Sequence, residues 1–323
     1  MPRIGLILFS LSIFLSACLK QDKPITLPPK GNGDVLQLNM GENYDTQFFV
    51  SLRTNRVVHT SQIAAWDIAF QCGENEFGVL LNGGKGMAAS PVLNRSFQSL
   101  SYADTAGLGQ GWQIDLPCGN LDSLVMSQWQ NQKPVYWIRR DKLGKELAKL
   151  QILSSNALSY TFRFGRANDT GQIYTIAKKS NVNFVYFSFD EQAEVNNIEP
   201  PKTTWDFVST LYSCIFYDQN PPLPYVVNGI LLNPTNTQAY CDSLLGYDNV
   251  DIVRANNLPW SSRWDAIGYR WKTYDLNTNI YTALRHHTYV VKSQNGAMFK
   301  LRFLDFYSPQ GIKGSPKFEF KPL

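Results

Sequence analysis

The 323-residue chain reads as a mainly β protein, built of antiparallel sheets and hairpins with one or two short helices. Three observations predict this. Aromatic and β-branched residues fall in short alternating runs that suit a half-buried pleated surface. Turn residues punctuate those runs. Helical periodicity is scarce.

The strand signals are Gln47-Phe48-Phe49-Val50-Ser51-Leu52, Tyr160-Thr161-Phe162-Arg163-Phe164, the run from Asn183 to Phe189, Tyr289-Val290-Val291-Lys292 and Met298 to Phe303. Between them stand Asn82-Gly83-Gly84, Asn168-Asp169-Thr170-Gly171, Asn295-Gly296 and Pro309-Gln310-Gly311. Asn295-Gly296 separates two alternating runs and predicts a tight hairpin. Two segments carry a helical hint, Asp141 to Leu150 and Thr237 to Leu245. Trp-Asp occurs three times, at Trp66-Asp67, Trp205-Asp206 and Trp264-Asp265, with spacings too unequal for a propeller repeat. The expected reading is that Trp66 and Trp205 fill the core with their indole N–H groups partnered. Asp67 and Asp206 would accept backbone N–H bonds, and Gly83, Gly84 and Gly86 would supply positive φ or close backbone approach. Residues 41–323 are expected to form the β body, with Pro200-Pro201 a candidate subdivision near 200.

The N-terminus predicts export. Arg3 precedes an apolar run from Ile4 to Leu15, well short of the roughly 20 residues a membrane span takes and of signal-peptide length. It ends in Leu15-Ser16-Ala17-Cys18, the pattern of a lipobox. Residues 1–17 are thus a lipoprotein signal peptide, and Cys18 is the lipidated residue that starts the mature chain. The alternative is an ordinary signal peptide with an incidental cysteine. Several acyl chains on Cys18 would anchor the protein stably to a membrane. Leu19-Lys20-Gln21-Asp22-Lys23 resembles the charged export tag of surface lipoproteins of Bacteroidetes. Residues 18–40, rich in Pro, Gly and Lys, read as a flexible tether.

Net charge of +4, or +3 once Arg3 is removed, is too weak to predict nucleic-acid binding. Four cysteines follow Cys18. An oxidising compartment allows two disulfides, Cys72–Cys118 and Cys214–Cys241 being preferred because each stays in one half of the chain. Four buried free thiols are the alternative. No CxxC pair exists, which argues against zinc.

An ordered set of segments resembles the HmuY family of Bacteroidetes lipoproteins. It comprises Trp66-Asp67-Ile68-Ala69-Phe70 with Asn82-Gly83-Gly84 and Gly86, and Thr204-Trp205-Asp206-Phe207-Val208 with the run from Tyr225 to Asn233. Ile267-Gly268-Tyr269-Arg270-Trp271-Lys272 follows, then the stretch from Tyr289 through Phe299–Tyr307 to Gly311, Gly314 and Phe318-Glu319-Phe320. The resemblance implies a mainly β outer-membrane lipoprotein, on the cell surface, that binds haem non-covalently and passes it to a TonB-dependent receptor. It also implies paired axial His or Met ligands, which do not align onto this chain.

Haem needs an axial donor, an apolar slot and cations for its propionates. The donors on offer are His59, His286, His287 and Met298, with Met87 and Met126 also available. If Leu284 to Val290 is extended, His286 and His287 point to opposite faces and only one enters a given pocket. Arg285 and Arg302 are the candidate propionate contacts. The plainer reading makes the histidines surface residues and the arginines solvated strand charges. No metal site other than haem iron is read.

No HExxH, GxSxG, kinase or Rossmann pattern occurs, and Asp248-Asn249-Val250-Asp251 lacks the EF-hand continuation. Carboxylates such as Asp115, Asp141, Glu191 and Asp251 show no pairing legible in sequence. The chain is therefore read as a binding protein and not an enzyme. Three roles are weighed: ligand capture for uptake with haem as the ligand, a non-haem structural or interaction lipoprotein on the same fold, and a carbohydrate-binding module suggested by aromatic richness alone.

Overall fold

The computed structural model describes residues 32–108, 111–141 and 146–323. The stretches read as signal peptide and export tag, Cys18, and the first part of the stretch read as tether lie outside them. Twenty strands occur among the described residues. They are β1 (Asp34–Gln37), β2 (Thr46–Ser51), β3 (Arg56–Gln62), β4 (Ile68–Gln71), β5 (Val79–Leu81), β6 (Ala88–Val92) and β7 (Val135–Arg139). Next come β8 (Leu147–Ser155), β9 (Ser159–Arg166), β10 (Gln172–Ala177), β11 (Phe184–Ser188), β12 (Ala193–Val195), β13 (Phe207–Phe216) and β14 (Leu223–Leu232). The last are β15 (Gln238–Asp242), β16 (Lys272–Asp275), β17 (Ile280–Ala283), β18 (Thr288–Lys292), β19 (Met298–Tyr307) and β20 (Lys313–Pro322). Two short α-helices, α1 (Trp129–Gln132) and α2 (Ile252–Asn256), complete the set.

All the ladders are antiparallel, and the strands form two nine-stranded bodies. The first body pairs the sheet β12-β11-β4-β5 with β10-β9-β8-β7-β6; the second pairs β3-β2-β13-β14 with β1-β20-β19-β18-β15. Position for position the two strand orders correspond. The extra hairpin β16-β17 belongs to the second body alone. The main core of the first body draws only on residues from Ile68 to Phe189. That of the second draws on Leu38 to Leu52 and Phe207 to Phe320. A single cut near 200 therefore does not separate them, because β1–β3 belong with β13–β20. β1, inside the stretch read as tether, pairs along β20 from Asp34 to Gln37, so the second body starts there.

The Trp-Asp dipeptides are the hinges of this repeat. Asp67 N donates to Phe187 O at 2.9 Å, and its carboxylate accepts from Phe189 N at 2.7 Å. Asp206 N donates to Val50 O at 2.8 Å, and its carboxylate accepts from Leu52 N at 2.7 Å. Asn82 Nδ2 donates to the carbonyls of Ile63 and Trp66 at 2.7 and 2.9 Å. Asn233 Nδ2 donates to those of Lys202 and Trp205 at 2.7 and 2.8 Å. Each Asn N also donates to the matching Asp carbonyl at 2.9 Å. The correspondence extends to buried lysines: Lys149 Nζ donates to Phe97 O and Leu100 O, Lys300 Nζ to Asp248 O and Val250 O. A buried ammonium needs such acceptors. Read along the chain, β1–β9 and β10–β20 are successive repeats whose three leading strands dock into the other's body.

The glycine motif joins the bodies. Gly86 has φ +70, and a Cβ on Gly83 would lie 2.8 Å from Ser213 N on β13, so only glycine permits that approach. Ser213 Oγ donates to Gly83 O at 2.9 Å.

Both helical expectations are corrected. The described part of 141–150 leads into strand β8, and 237–245 contains strand β15. In β8, buried Lys149 sits where alternation calls for a polar residue facing water, which blurs the period-2 signal. The disulfide pairings are also corrected: Cys72, Cys118, Cys214 and Cys241 are all free. Cys214 and Cys241 lie on different sheets of the second body. Cys72 Sγ accepts from Lys179 N at 3.4 Å, while Cys118 meets Ser123 Oγ at 3.2 Å. Burial pushes the Cys214 thiol up to about 11 and raises those of Cys72 and Cys241.

Candidate functional site

Where the sheet containing β4, β5 and β11 faces the sheet containing β2, β13 and β14, a cleft of about 150 Å³ remains. Its walls are built of corresponding residues. Trp66 meets Tyr186 edge-on, centroids 5.0 Å apart, and Trp205 meets Phe49 edge-on at 4.9 Å. Ala69 and Leu80 on one side answer Val208 and Leu231 on the other. Phe184 and Trp264, themselves 5.8 Å apart, extend the aromatic lining. Trp264-Asp265 is thus no third hinge: Trp264 lines the cleft, while Asp265 pairs with Arg263 at the surface.

The indole N–H groups of Trp66 and Trp205 have no hydrogen-bond partner, although both were expected to find one. Unpartnered buried donors cost stability, and here both stand in the wall of one cavity. Two carboxyl groups share that wall. Glu199 accepts from the backbone N–H groups of Asn183 and Phe184 and from Tyr186 Oη, the last at 3.2 Å. Burial pushes its pKa up to about 7. Asp115 accepts from Leu81 N at 2.6 Å and Val125 N at 2.8 Å, and burial pushes it up to about 6. Neither forms a salt bridge among the described residues, and no Lys, Arg or His lines the cleft. Of these groups sequence reasoning named Trp66, Trp205 and Asp115, the first two as core. Glu199 carried no signal beyond its place before Pro200-Pro201.

The residues named as iron donors lie elsewhere and apart. His59 is on edge strand β3, its Nε2 2.8 Å from Asn197 O. Arg285 and His286 form a turn rather than a strand, so the two imidazoles do not point to opposite faces. His286 is exposed and its ring touches that of half-buried His287, centroids 4.4 Å apart. Burial and the neighbouring His286 lower the His287 pKa. Met298 lies at the other end of β18, opposite Lys292. That is five residues along the strand from His287, roughly 17 Å at the usual rise. Met87 and Met126 are each 1% exposed in the core of the first body. Arg302 is not a solvated charge: its Nε and Nη2 bind Glu319 Oε2 at 3.0 and 2.8 Å. Arg285 Nε donates to Leu304 O at 3.3 Å.

The hinges, the two sheet pairs and the cleft between them define an antiparallel β protein, with no group of three or more His, Cys, Asp or Glu placed to hold a metal among the described residues. The HmuY protein family matches residues 43–164 and 233–320, about two thirds of the chain, and the chain belongs to that family. Among curated proteins none matches. Similar solved structures include one from Bacteroides vulgatus described as HmuY-like and haem-binding, 14% identical, covering 42% of this chain and 82% of that one, TM-score 0.24. Another is apo PinO from Porphyromonas gingivitis, 11% identical, covering 91% and 98%, TM-score 0.29. A third is described as a lipoprotein of Bacteroides fragilis, 15% identical, covering 52% and 91%, TM-score 0.24.

The described residues do not compose a paired-ligand haem site. The cleft supplies an apolar slot without His, Met or Cys and without cations. The His286–His287 pair has its rings in contact, which leaves no room for a porphyrin between them.

Proposed function

We propose that this protein is a HmuY-class lipoprotein, anchored through Cys18 on the outer surface of the outer membrane, that captures a small ligand in the cleft between its two bodies. Delivery to a TonB-dependent receptor completes the role. The observation that carries the reading is the cleft itself: matched aromatic walls and carboxyls without cations. Protein interiors close such spaces and pair such groups unless a ligand does so. No fold-forming bond of the hinges depends on leaving it open.

Haem capture is the second reading, favoured by exposed His286 beside Arg285, with the His287 Nδ1 lacking a partner. It would rest on one imidazole, at the surface and away from the cleft. An absorbance titration with haem, under oxidising and reducing conditions, separates the two. The cleft reading expects no saturable Soret shift at one equivalent. A one-equivalent shift that disappears in His286→Ala/His287→Ala would replace it with the haem reading.

A further inference from the structure

Resting on the cleft as the ligand site, we propose that it takes a compact substituted ammonium group, an organic cation with apolar substituents. Size sets the first limit. A dry cavity of about 150 Å³ holds a single benzene ring, and a trimethylammonium head has comparable bulk. The walls set the second. Trp66, Tyr186, Phe49 and Trp205 surround the space from both bodies. Aromatic rings attract a cation through their negative faces, most strongly where water is excluded.

Charge decides between a cation and a neutral ring. Buried Glu199 and half-buried Asp115 stand in this wall with only N–H and O–H donors as partners. Elsewhere in the molecule Asp67 meets Lys85 and Arg140, Asp242 meets Arg254 and Glu319 meets Arg302, while buried Asp206 makes no salt bridge among the described residues. The cleft carboxyls line a space of ligand size with no counter-charge among its lining residues. A cation entering the cleft supplies it. An anion meets two carboxyls and no positive side chain, which excludes carboxylate and phosphate ligands.

The test uses choline and 3,3-dimethylbutan-1-ol, which share shape and hydroxyl and differ in charge. Both are titrated calorimetrically into the full chain, and into Glu199→Gln. Choline is expected to bind at one equivalent, at least tenfold more tightly than the alcohol. Glu199→Gln is expected to bring it down to the alcohol's level. Asp115→Asn takes the place of Glu199→Gln if that variant lacks the native near-UV circular dichroism. Equal binding of the two probes, or a choline preference that survives the substitution in the natively folded variant, overturns the cation inference and leaves the cleft as the site. Binding of neither overturns the cleft reading as well.

Discussion

The two bodies make the same backbone bonds around Asp67 and Asp206 yet treat the two carboxylates differently. In the first body Arg140, 7% exposed, reaches Asp67 with Nε at 3.1 Å and Asp190 with Nη2 at 2.7 Å, and also pairs with Glu146. Lys85 adds a second cation at 2.6 Å. In the second body the residue that follows the corresponding strand β18 is Ser293, Asp206 makes no salt bridge among the described residues, and burial raises its pKa. What the repeat requires is an acceptor for one backbone N–H at each hinge. Full neutralisation is an addition of the first body, which ties Asp67 on β4's lead-in to the end of β7.

The largest effect should come from removing that addition. Arg140→Met leaves buried Asp67 with Lys85 as its remaining cation and should cost about 3 kcal/mol, the low end of what breaking a buried pair from one side usually costs. Urea denaturation gives the value. If Arg140→Met costs no more than a surface change, the two hinges are electrostatically alike and the contrast fails.

Glu199 tests the boundary between the bodies. Its folded pKa, about 7, lies above the unfolded value near 4.5, so the folded state holds the proton more tightly. Its contribution is fully present below pH about 4.5 and is lost as pH rises through about 7. The loss amounts to about 3 kcal/mol. Glu199→Gln should flatten that part of the stability–pH curve and leave the protein more stable at pH 8. A variant whose curve keeps the wild-type slope between pH 5 and 7 would remove Glu199 as its source.

Asn82→Ala and Asn233→Ala each delete a side chain that bonds two carbonyls and accepts from two N–H groups. Each should cost about 2 kcal/mol, and near-equal values would sharpen the equivalence of the bodies. The smallest effect is expected for Asp206→Asn, within about 1 kcal/mol, since the amide oxygen still accepts from Leu52 N and no cation loses its partner. A loss as large as that of Arg140→Met would mean that Asp206 has a charged partner after all.

Much of this fold was legible in the sequence. The Gln47–Leu52, Tyr160–Phe164, Asn183–Phe189 and Met298–Phe303 runs fall on β2, β9, β11 and β19, and Gly296 of the predicted hairpin turn has φ +86. Alternation and turn chemistry are local, so they survive without knowledge of partners. The repeat was not legible. The hinge dipeptides Trp66-Asp67 and Trp205-Asp206 were seen, but the loops between each hinge and its asparagine differ in length. The usable signal was a Trp-Asp before one strand and an asparagine after the next: Leu81-Asn82 and Leu232-Asn233. The cleft was less legible still. Its walls come from strands far apart in sequence, so Trp66 and Trp205 looked like ordinary core residues. The histidines attracted attention by residue type alone, and a turn at Arg285–His286 keeps His286 and His287 out of the cleft.

The central claim is that two complete β bodies enclose the site, the first lying between β3 and β13 of the second. The most direct test is thermal unfolding of the fragment 63–200, followed by near-UV circular dichroism. The fragment contains the whole core from Ile68 to Phe189 and should show a native-like aromatic signal lost in one cooperative transition. A fragment with no near-UV signal, or with a gradual loss on heating, would contradict the claim and make the two bodies a single folding unit.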